Sequence, residues 1–207
     1  MKRKIGILGG TFDPPHLAHL YIAESALRYA GLEKVYFMPA LNPPHKTENK
    51  VSSYDERYQM TKCCIKDNLK FEMCDAEKII GLSKSYTADT LKYLKTQNPN
   101  IDIYFIVGMD SLYMMHTWHT PEKLGEYAKF LCFARPGFEN TDIKFRAEYL
   151  KNKFNLDVSF FETFALDISS TEIRKAVRKN LNIKYIVPSP TIEYIKTHKL
   201  YMENKDE

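Results

Sequence analysis

Two histidines and a glycine pair near the start of the chain are the first residues that could do chemistry. They lie in IGILGGTFDPPHLAH at 5–19, which predicts a strand, a glycine turn and a helix whose first turn carries His16 and His19 on one face. Backbone N–H groups beside glycines and the positive end of a helix dipole favour an anion, and imidazoles add donors. The whole stretch predicts a phosphate site, although the histidine pair alone fits an ordinary strand-turn-helix with surface histidines.

A second group of phosphate-binding residues occurs late in the chain, in ISSTEIR at 168–174. Ser169 and Glu172 have the spacing of a capping box, which by itself explains those two residues. Capping does not require three successive hydroxyl side chains with Arg174 nearby. Hydroxyls, helix N-terminal N–H groups and a guanidinium together predict a second phosphate clamp, with capping alone as the alternative.

A long proline-rich loop carries one lysine of interest. Residues 39–53 contain Pro39, Pro43 and Pro44, which predicts a loop, and loops of this length in a compact domain often serve function. A loop stiffened by proline could present Lys46 to a phosphate with little loss of entropy. A solvated loop is the simpler interpretation of the lysine on its own.

An aromatic residue and a helix start could together bind a flat, anionic heterocycle. Thr87 can begin a helix that ends near Gln97, while Trp118 and His119 lie in a later loop. An aromatic ring would stack on the heterocycle, and N–H groups at the helix N-terminus would take its negative charge. Without the other motifs, Trp118 would be interpreted as a core residue.

Several other kinds of site are disfavoured because their sequence patterns are missing. The first glycines do not form GxGxxG with an acidic residue closing the second strand, and GxxxxGK[ST] does not occur, so a redox NAD site and a P-loop are disfavoured. Zinc is disfavoured because HExxH and paired cysteines are missing. No Ser-His-Asp or Cys-His order is legible, so covalent catalysis by the protein has no support.

Strand-like and helix-like segments alternate along the chain, which predicts an α/β protein with a parallel sheet and helices on both faces. The most apolar strand ends at Gly108, as the first strand ends at Gly9 and Gly10, and we expect these ends to flank one crevice. The predicted strands are 4–8, 35–38, 69–73, 101–107, 129–134 and 158–161. The predicted helices are Pro15 to Ala30, Ser53 to Asp67, Thr87 to Gln97, one starting at Thr120-Pro121, Ser169 to Arg178 and Pro188 to His198.

The size and composition fit one globular domain, 1–207, with a C-terminal helical part at about 165–200 and a frayed tail at 203–207. Hydrophobic residues make up 44% and charged residues 27%, and the net charge of +4 is scattered, which does not indicate a nucleic-acid surface. No apolar run reaches the roughly 20 residues of a membrane span. The 4 cysteines lack CxxC spacing and fit reduced thiols, so we expect a cytoplasmic protein with no membrane partner.

A series of segments along the chain is recognisable as a set. The segments are GGTFDPPHLAH at 9–19, NPPHK at 42–46, SYTADT at 85–90, VGMDS at 107–111, Trp118, RPG at 135–137 and ISSTEIR at 168–174. In order, spacing and total length they resemble the bacterial nicotinate-nucleotide adenylyltransferases, over essentially the whole chain. The first and last segments are typical of the wider nucleotidyltransferase superfamily, and the middle segments narrow the choice of substrate within it.

The resemblance implies a Rossmann-like fold and transfer of AMP from ATP to nicotinate mononucleotide with Mg²⁺, giving nicotinate adenine dinucleotide and pyrophosphate in NAD biosynthesis. It implies catalytic roles for His16, His19, Lys46 and Arg174, and no metal ligand from the protein. The implied ATP-binding residues are Gly9, Gly10, Thr11, Phe12, His16, His19, Gly108, Asp110, Ser170, Thr171 and Arg174. The implied mononucleotide-binding residues are Asn42, Lys46, Thr87, Trp118, His119 and Arg135.

Two positions depart from the pattern of this family. Ala18 stands where the family's HxGH has its glycine, and its methyl group would crowd the nucleotide or shift the helix slightly. Ala40 follows Pro39 where relatives usually carry asparagine, so a substrate contact there must be lost or made by Asn42.

Three other functions stay open on the sequence. A nicotinamide mononucleotide enzyme would share the phosphate motifs and differ where the pyridine carboxylate binds. A pantetheine-phosphate or other small-molecule nucleotidyltransferase is disfavoured by the segment with Thr87 and Trp118. A non-catalytic nucleotide-binding protein would bind ATP and release no pyrophosphate. A homo-oligomer is compatible with the sequence, although no signal establishes one.

Overall fold

The computed structural model describes residues 2–42, 51–81, 86–134, 140–162, 164 and 166–202. The strands of this part of the chain are β1 (Arg3–Gly10), β2 (Lys34–Pro39), β3 (Phe71–Met73), β4 (Ile101–Gly108), β5 (Lys129–Ala134) and β6 (Val158–Glu162). Its helices are α1 (Leu17–Ala30), α2 (Tyr54–Ile65), α3 (Ala76–Ile80), α4 (Thr87–Gln97), α5 (Met109–Met114), α6 (Pro121–Tyr127), α7 (Asn140–Phe154), α8 (Ser170–Arg178) and α9 (Ser189–Thr197). A 3₁₀ turn, Met115–Thr117, follows α5.

The described strands form one parallel sheet of order β3-β2-β1-β4-β5-β6, which confirms the predicted fold class. The winding direction reverses between β1 and β4, and sheets of this kind bind ligands outside the carboxyl ends of the strands at that point. Leu8 of β1 pairs with Ile106 of β4. The glycine ends of these strands, Gly10 and Gly108, therefore lie side by side, as predicted.

Apolar side chains alternate between the two faces of the sheet, and helices cover both faces. Phe105 belongs to a cluster built with α3 to α7, whereas Ile106 belongs to a cluster built with α1 and α2. A third cluster contains Met60, Ile173 and Ile195, and it fastens α2 to α8 and α9. The C-terminal helices are therefore packed against the rest of the domain through α2.

Two serine caps set the starts of α2 and α8. The N–H of Ser53 donates to Glu56 Oε2 at 2.8 Å and the N–H of Glu56 donates to Ser53 Oγ at 3.3 Å, so the predicted capping box of α2 is present. At α8, Ser169 Oγ accepts the N–H of Glu172 at 3.2 Å. The Glu172 carboxylate forms an ion pair with Lys175 at 2.8 Å and does not accept the N–H of Ser169. The second predicted capping box is therefore only half formed, with the serine bond present and the glutamate bond missing.

The sequence pattern does not predict α3, α5 or α7. The first two have 5 and 6 residues, which is too short for a periodic pattern to register. α7 has 15 residues and is mostly polar, and it buries Ile143 and Leu150, so its apolar stripe is narrow. None of the helices in the described segments is long and apolar enough to cross a bilayer.

Candidate functional site

The turn after β1 is packed by its own aromatic side chain. Phe12 is 2% exposed and has a φ of 52°, in the left-handed region. A Cβ on Gly10 would lie 3.0 Å from Phe12 Cζ, and one on Gly9 would lie 3.2 Å from Phe105 Cζ. The glycine pair is therefore needed to seat these two rings, in addition to any approach of a ligand.

His16 and His19 lie in contact at the start of α1. His16 is the N-cap residue, in an extended conformation with φ −152°, so the helix begins at Leu17, two residues later than predicted. The N–H of His16 donates to Nδ1 of His19 at 3.2 Å, and the two ring centroids are 3.8 Å apart. Because Nδ1 of a neutral His19 accepts this bond, its proton is on Nε2, which makes Nε2 a hydrogen-bond donor.

Burial holds both imidazoles in the neutral form at neutral pH. Burial lowers the pKa of His16 to about 4. Burial, and then the neighbouring His16, lower the pKa of His19 well below its usual value. Nδ1 of His16 is buried and has no hydrogen-bond partner in the described part of the chain. Buried polar atoms are normally bonded, so this nitrogen is available to a ligand at the site.

The amides of His16 and Leu17, at the start of α1, are bonded within the protein. The N–H of Leu17 donates to the carbonyl of Ile186 at 3.0 Å, and the N–H of His16 is taken by His19. The prediction that amides at this helix start cradle phosphate is therefore wrong for these two groups, because the C-terminal segment and His19 occupy them. The imidazoles add side-chain donors at the same helix end.

The two predicted phosphate clamps meet in the structure. Oγ of Ser170 donates to the carbonyl of Pro14 at 2.9 Å. Arg174 donates from Nη1 to the carbonyl of Asp13 at 2.7 Å and from Nη2 to Thr171 Oγ1 at 3.3 Å. Helix α8 is therefore bonded directly to the turn after β1, and both nitrogens of the Arg174 fork are held before any ligand binds.

Asp13 is a buried junction that the sequence pattern does not single out. Its side chain is 1% exposed. Oδ1 accepts from the Tyr201 hydroxyl at 2.6 Å and Oδ2 from the N–H of Ser52 at 3.4 Å, while Nη1 of Arg174 lies 4.0 Å from Oδ2. Its partners are distant in sequence, up to 188 positions away, so no local pattern could reveal them.

Arg57 is a second buried group that the sequence pattern does not single out. It is 1% exposed, on the inner face of α2. Its guanidinium donates to the carbonyls of Thr11 at 2.9 Å, Ser52 at 3.0 Å and Leu41 at 3.4 Å. These carbonyls lie in the turn after β1 and on either side of residues 43–50. The signal that could have found it is a charge on the apolar stripe of an amphipathic helix.

The end of β4 lies at the switch point beside the turn after β1. Gly108 is the N-cap of α5, and a Cβ there would lie 3.1 Å from Phe133 Cζ. Asp110 is exposed in the first turn of α5. These positions suit a nucleotide pocket, and contact of the two residues with a nucleotide stays a prediction.

The segments predicted to bind a heterocycle lie on the face of the sheet that α3 to α7 cover. Tyr86, directly before Thr87, stacks on His119 with ring centroids 4.3 Å apart. Trp118 is partly buried and packs edge-on against Phe105 at 6.4 Å. Because Phe105 also adjoins Gly9, one aromatic ring separates this group from the end of β1. Trp118 therefore has a packing role, and Phe105 lies between it and Gly9.

The remaining predicted positions have mixed outcomes. Lys46 and Arg135 lie outside the described residues. Asn42 is exposed, while the N–H of Ala40 donates to the carbonyl of Gly10 at 2.9 Å. The methyl group of Ala18 is buried, at 7% exposure, within α1.

The sequence matches those of known proteins over most of its length. The cytidylyltransferase-like family model matches residues 7–176. A Clostridium tetani protein named "Probable nicotinate-nucleotide adenylyltransferase" is 42% identical over 201 residues, which are 97% of this chain and 100% of that protein. A protein of the same name from Lactiplantibacillus plantarum is 38% identical over 202 residues, which are 98% of this chain and 90% of that protein.

The fold is similar to that of a solved structure as well. Plasmodium falciparum nicotinic acid mononucleotide adenylyltransferase complexed with NaAD superposes with a TM-score of 0.76 and 25% identity, over 96% of this chain and 97% of that one. The similarity in sequence to these relatives and the similarity in fold to this structure both extend over nearly the whole chain. The chain belongs to the nicotinate-nucleotide adenylyltransferase family, within the cytidylyltransferase-like proteins.

Proposed function

We propose that the protein transfers the adenylyl group of ATP to nicotinate mononucleotide, giving nicotinate adenine dinucleotide and pyrophosphate, in NAD biosynthesis. The observation that carries the proposal is that Arg174 is bonded to the turn leading into the histidine pair, at the switch point of the sheet. The names of the relatives support the same reaction, and one of them is described in complex with NaAD.

The reaction requires alignment of two phosphates and neutralisation of charge, without a protein nucleophile. A phosphate oxygen of the mononucleotide forms a bond to the α-phosphorus of ATP. The bond between that phosphorus and the oxygen bridging to the β-phosphate breaks, and its electron pair leaves with pyrophosphate. Donors that are oriented toward this developing charge before the substrates bind lower the barrier.

We propose His16, His19 and Arg174 as catalytic residues, together with Lys46. The neutral imidazoles would donate N–H groups to the triphosphate, with Nε2 of His19 fixed as a donor by the bond at Nδ1. Arg174 would add a permanent charge and a planar fork of donors for phosphate oxygens. Its hydrogen bonds to Asp13 and Thr171 reduce the entropy lost when it binds.

The other contacts divide between the two substrates. We propose that further ATP contacts come from the turn after β1, the end of β4 and the start of α8, and that the mononucleotide lies on the side of α4 and Trp118. The proposed ATP contacts are Gly9, Gly10, Thr11, Phe12, Gly108, Asp110, Ser170 and Thr171. The proposed mononucleotide contacts are Asn42, Lys46, Thr87, Trp118, His119 and Arg135.

Mg²⁺ would enter with the phosphates of ATP. This ion keeps several waters and binds mainly through substrate phosphates in such sites. Within the described segments there is no group of three or more His, Cys, Asp or Glu placed to hold a metal, and the carboxylate of Asp13 is engaged by Tyr201 and Ser52. The donor set therefore fits an ion carried by the nucleotide, and when bound it would neutralise phosphate charge.

We also infer that the reaction takes place in the cytoplasm. The four cysteines, Cys63, Cys64, Cys74 and Cys132, are all free thiols. Burial raises the pKa of the Cys64, Cys74 and Cys132 thiols, so they are poor nucleophiles and inert core residues. Free buried thiols are typical of proteins from reducing compartments.

The test is to incubate the purified protein with ATP, Mg²⁺ and either nicotinate or nicotinamide mononucleotide, and to measure dinucleotide and pyrophosphate. We expect equal amounts of both products, with faster turnover of the nicotinate form. Faster turnover of the amide would assign the protein to nicotinamide mononucleotide. ATP binding without turnover of either substrate would identify a nucleotide-binding protein and contradict the proposal.

A further inference from the structure

We propose that Tyr201, in the turn after α9, is a positioning residue for the phosphate clamp and acts through Asp13 on Arg174. The inference rests on the proposed adenylyl transfer, and it adds a residue beyond the segment 7–176 that the family model covers. Tyr201 would touch neither substrate. Its role would be to fix the buried carboxylate from which the orientation of the guanidinium follows.

The first step is a short hydrogen bond between distant parts of the chain. The hydroxyl of Tyr201 donates to Oδ1 of Asp13 at 2.6 Å, across 188 positions of sequence, and it also lies 3.5 Å from Sδ of Met60. Bonds from a hydroxyl to a carboxylate at this distance belong to the stronger class. Because Asp13 is 1% exposed, water cannot easily replace this donor.

The second step is the contact between Asp13 and Arg174. Nη1 of Arg174 donates to the carbonyl oxygen of Asp13 at 2.7 Å and lies 4.0 Å from Oδ2 of the same residue. The Arg174 side chain is 11% exposed, so its orientation is set by these neighbours more than by solvent. Asp13 therefore orients the guanidinium in two ways. Its main-chain carbonyl accepts the hydrogen bond, and its carboxylate attracts the positive charge from 4.0 Å.

Removal of the Tyr201 hydroxyl would change the balance of donors around Asp13. Oδ1 would lose its partner, while Ser52, Arg174 and the nearby charge of Arg57 would remain. A buried acceptor without a partner is costly, so the carboxylate would turn toward a remaining donor. Turning toward Arg174 would draw the guanidinium toward the carboxylate and away from its present orientation.

The C-terminal turn is held in the shape that delivers Tyr201 to Asp13. The N–H of Leu200 donates to the carbonyl of Ile195 at 2.9 Å, and Leu200 is buried in the cluster with Met60. Thr191 Oγ1 donates to the carbonyl of Met60 at 3.3 Å, which joins α9 to α2. The position of the tyrosine ring therefore depends on these contacts, and its hydroxyl can be removed without disturbing them.

The test is a double-mutant cycle on kcat/KM with Tyr201→Phe, Arg174→Ala and the double variant. We expect Tyr201→Phe to lower kcat/KM by about 10-fold in the wild-type background, the scale of one hydrogen bond to a charged group. In the Arg174→Ala background the same change should lower it by less than about 2-fold, because the group that Tyr201 positions is already missing. Binding of pyrophosphate, measured by calorimetry, should weaken in Tyr201→Phe, whereas binding of nicotinate mononucleotide should not.

Tyr194→Phe is the matched control. Tyr194 packs in the same apolar cluster on α9, and no hydrogen bond of its hydroxyl is seen among the described residues. This variant should keep wild-type kcat/KM and pyrophosphate affinity.

Three results would overturn the inference. One is an equal loss of kcat/KM in both backgrounds, and another is an unfolded or strongly destabilised Tyr201→Phe protein, which would assign Tyr201 a purely structural role. The third is wild-type kcat/KM in Tyr201→Phe. Absence of turnover by the wild-type protein in the same assay would instead overturn the proposed function itself.

Discussion

Replacement of Arg57 by methionine removes the guanidinium that fastens three separate stretches of backbone. The carbonyls of Thr11, Ser52 and Leu41 would lose their donor in a place where the side chain is 1% exposed. At about 1 kcal/mol for each lost bond, the free energy of unfolding should fall by about 3 kcal/mol. Burial lowers the pKa of Arg57, so relief of that burial cost would offset part of the loss.

Urea unfolding at neutral pH measures this loss directly, and calorimetric titration with ATP measures its effect on the site. For a chain of this size, a loss of about 3 kcal/mol corresponds to a fall in Tm of roughly 6–12 °C. ATP affinity should fall too, because the Thr11 carbonyl belongs to the turn that carries the phosphate site.

The control is Arg28→Met on the surface of α1. The Arg28 side chain is 69% exposed and pairs with Glu24 at 3.8 Å, so its loss should change stability by less than about 0.5 kcal/mol. A loss below about 1 kcal/mol for Arg57→Met would refute the view that Arg57 fastens the turn and the loop ends.

Three further predictions concern the site. His19→Ala and Arg174→Ala should each lower kcat/KM by about 10²-fold, the scale of one lost transition-state donor, in a pyrophosphate-release assay; activity near the wild-type level in both would remove their proposed roles. Trp118→Ala should raise KM for the mononucleotide and spare KM for ATP, and steady-state kinetics that show equal increases would indicate a packing role. The free energy of unfolding should fall as the pH drops from 6.5 toward about 4, because the unfolded chain binds protons at His16 and His19 that the native state excludes. Denaturation at stepped pH should show a smaller slope for His16→Asn, and an unchanged slope would mean that His16 is not buried as a neutral ring.

The parts of the site that the sequence predicts are those with local signatures. Gly10 and Gly108 end apolar strands, and that pattern predicted two neighbouring strand ends at one crevice. Ser53 and Glu56 have capping-box spacing, and the box forms as expected. Such signals work because the residues that interact are close in sequence, so spacing alone determines whether they can meet.

The parts that the sequence does not predict depend on contacts between distant segments. In the sequence, Asp13 is an ordinary member of a glycine-rich motif. Its role is visible only in the fold, where Tyr201 and Ser52 donate to its carboxylate. The amide of Leu17 looks free at a helix start, but Ile186 from the C-terminal region caps it. No spacing rule covers such pairs, since the approach of the two segments is set by packing of the whole domain.

Product formation from ATP and nicotinate mononucleotide is the most direct test of the central claim. The purified protein, supplied with Mg²⁺ and both substrates, should form nicotinate adenine dinucleotide and pyrophosphate in equal amounts, as followed by phosphorus NMR. Arg174→Ala should form both products far more slowly under the same conditions. ATP that binds and stays intact beside unreacted mononucleotide would contradict the account.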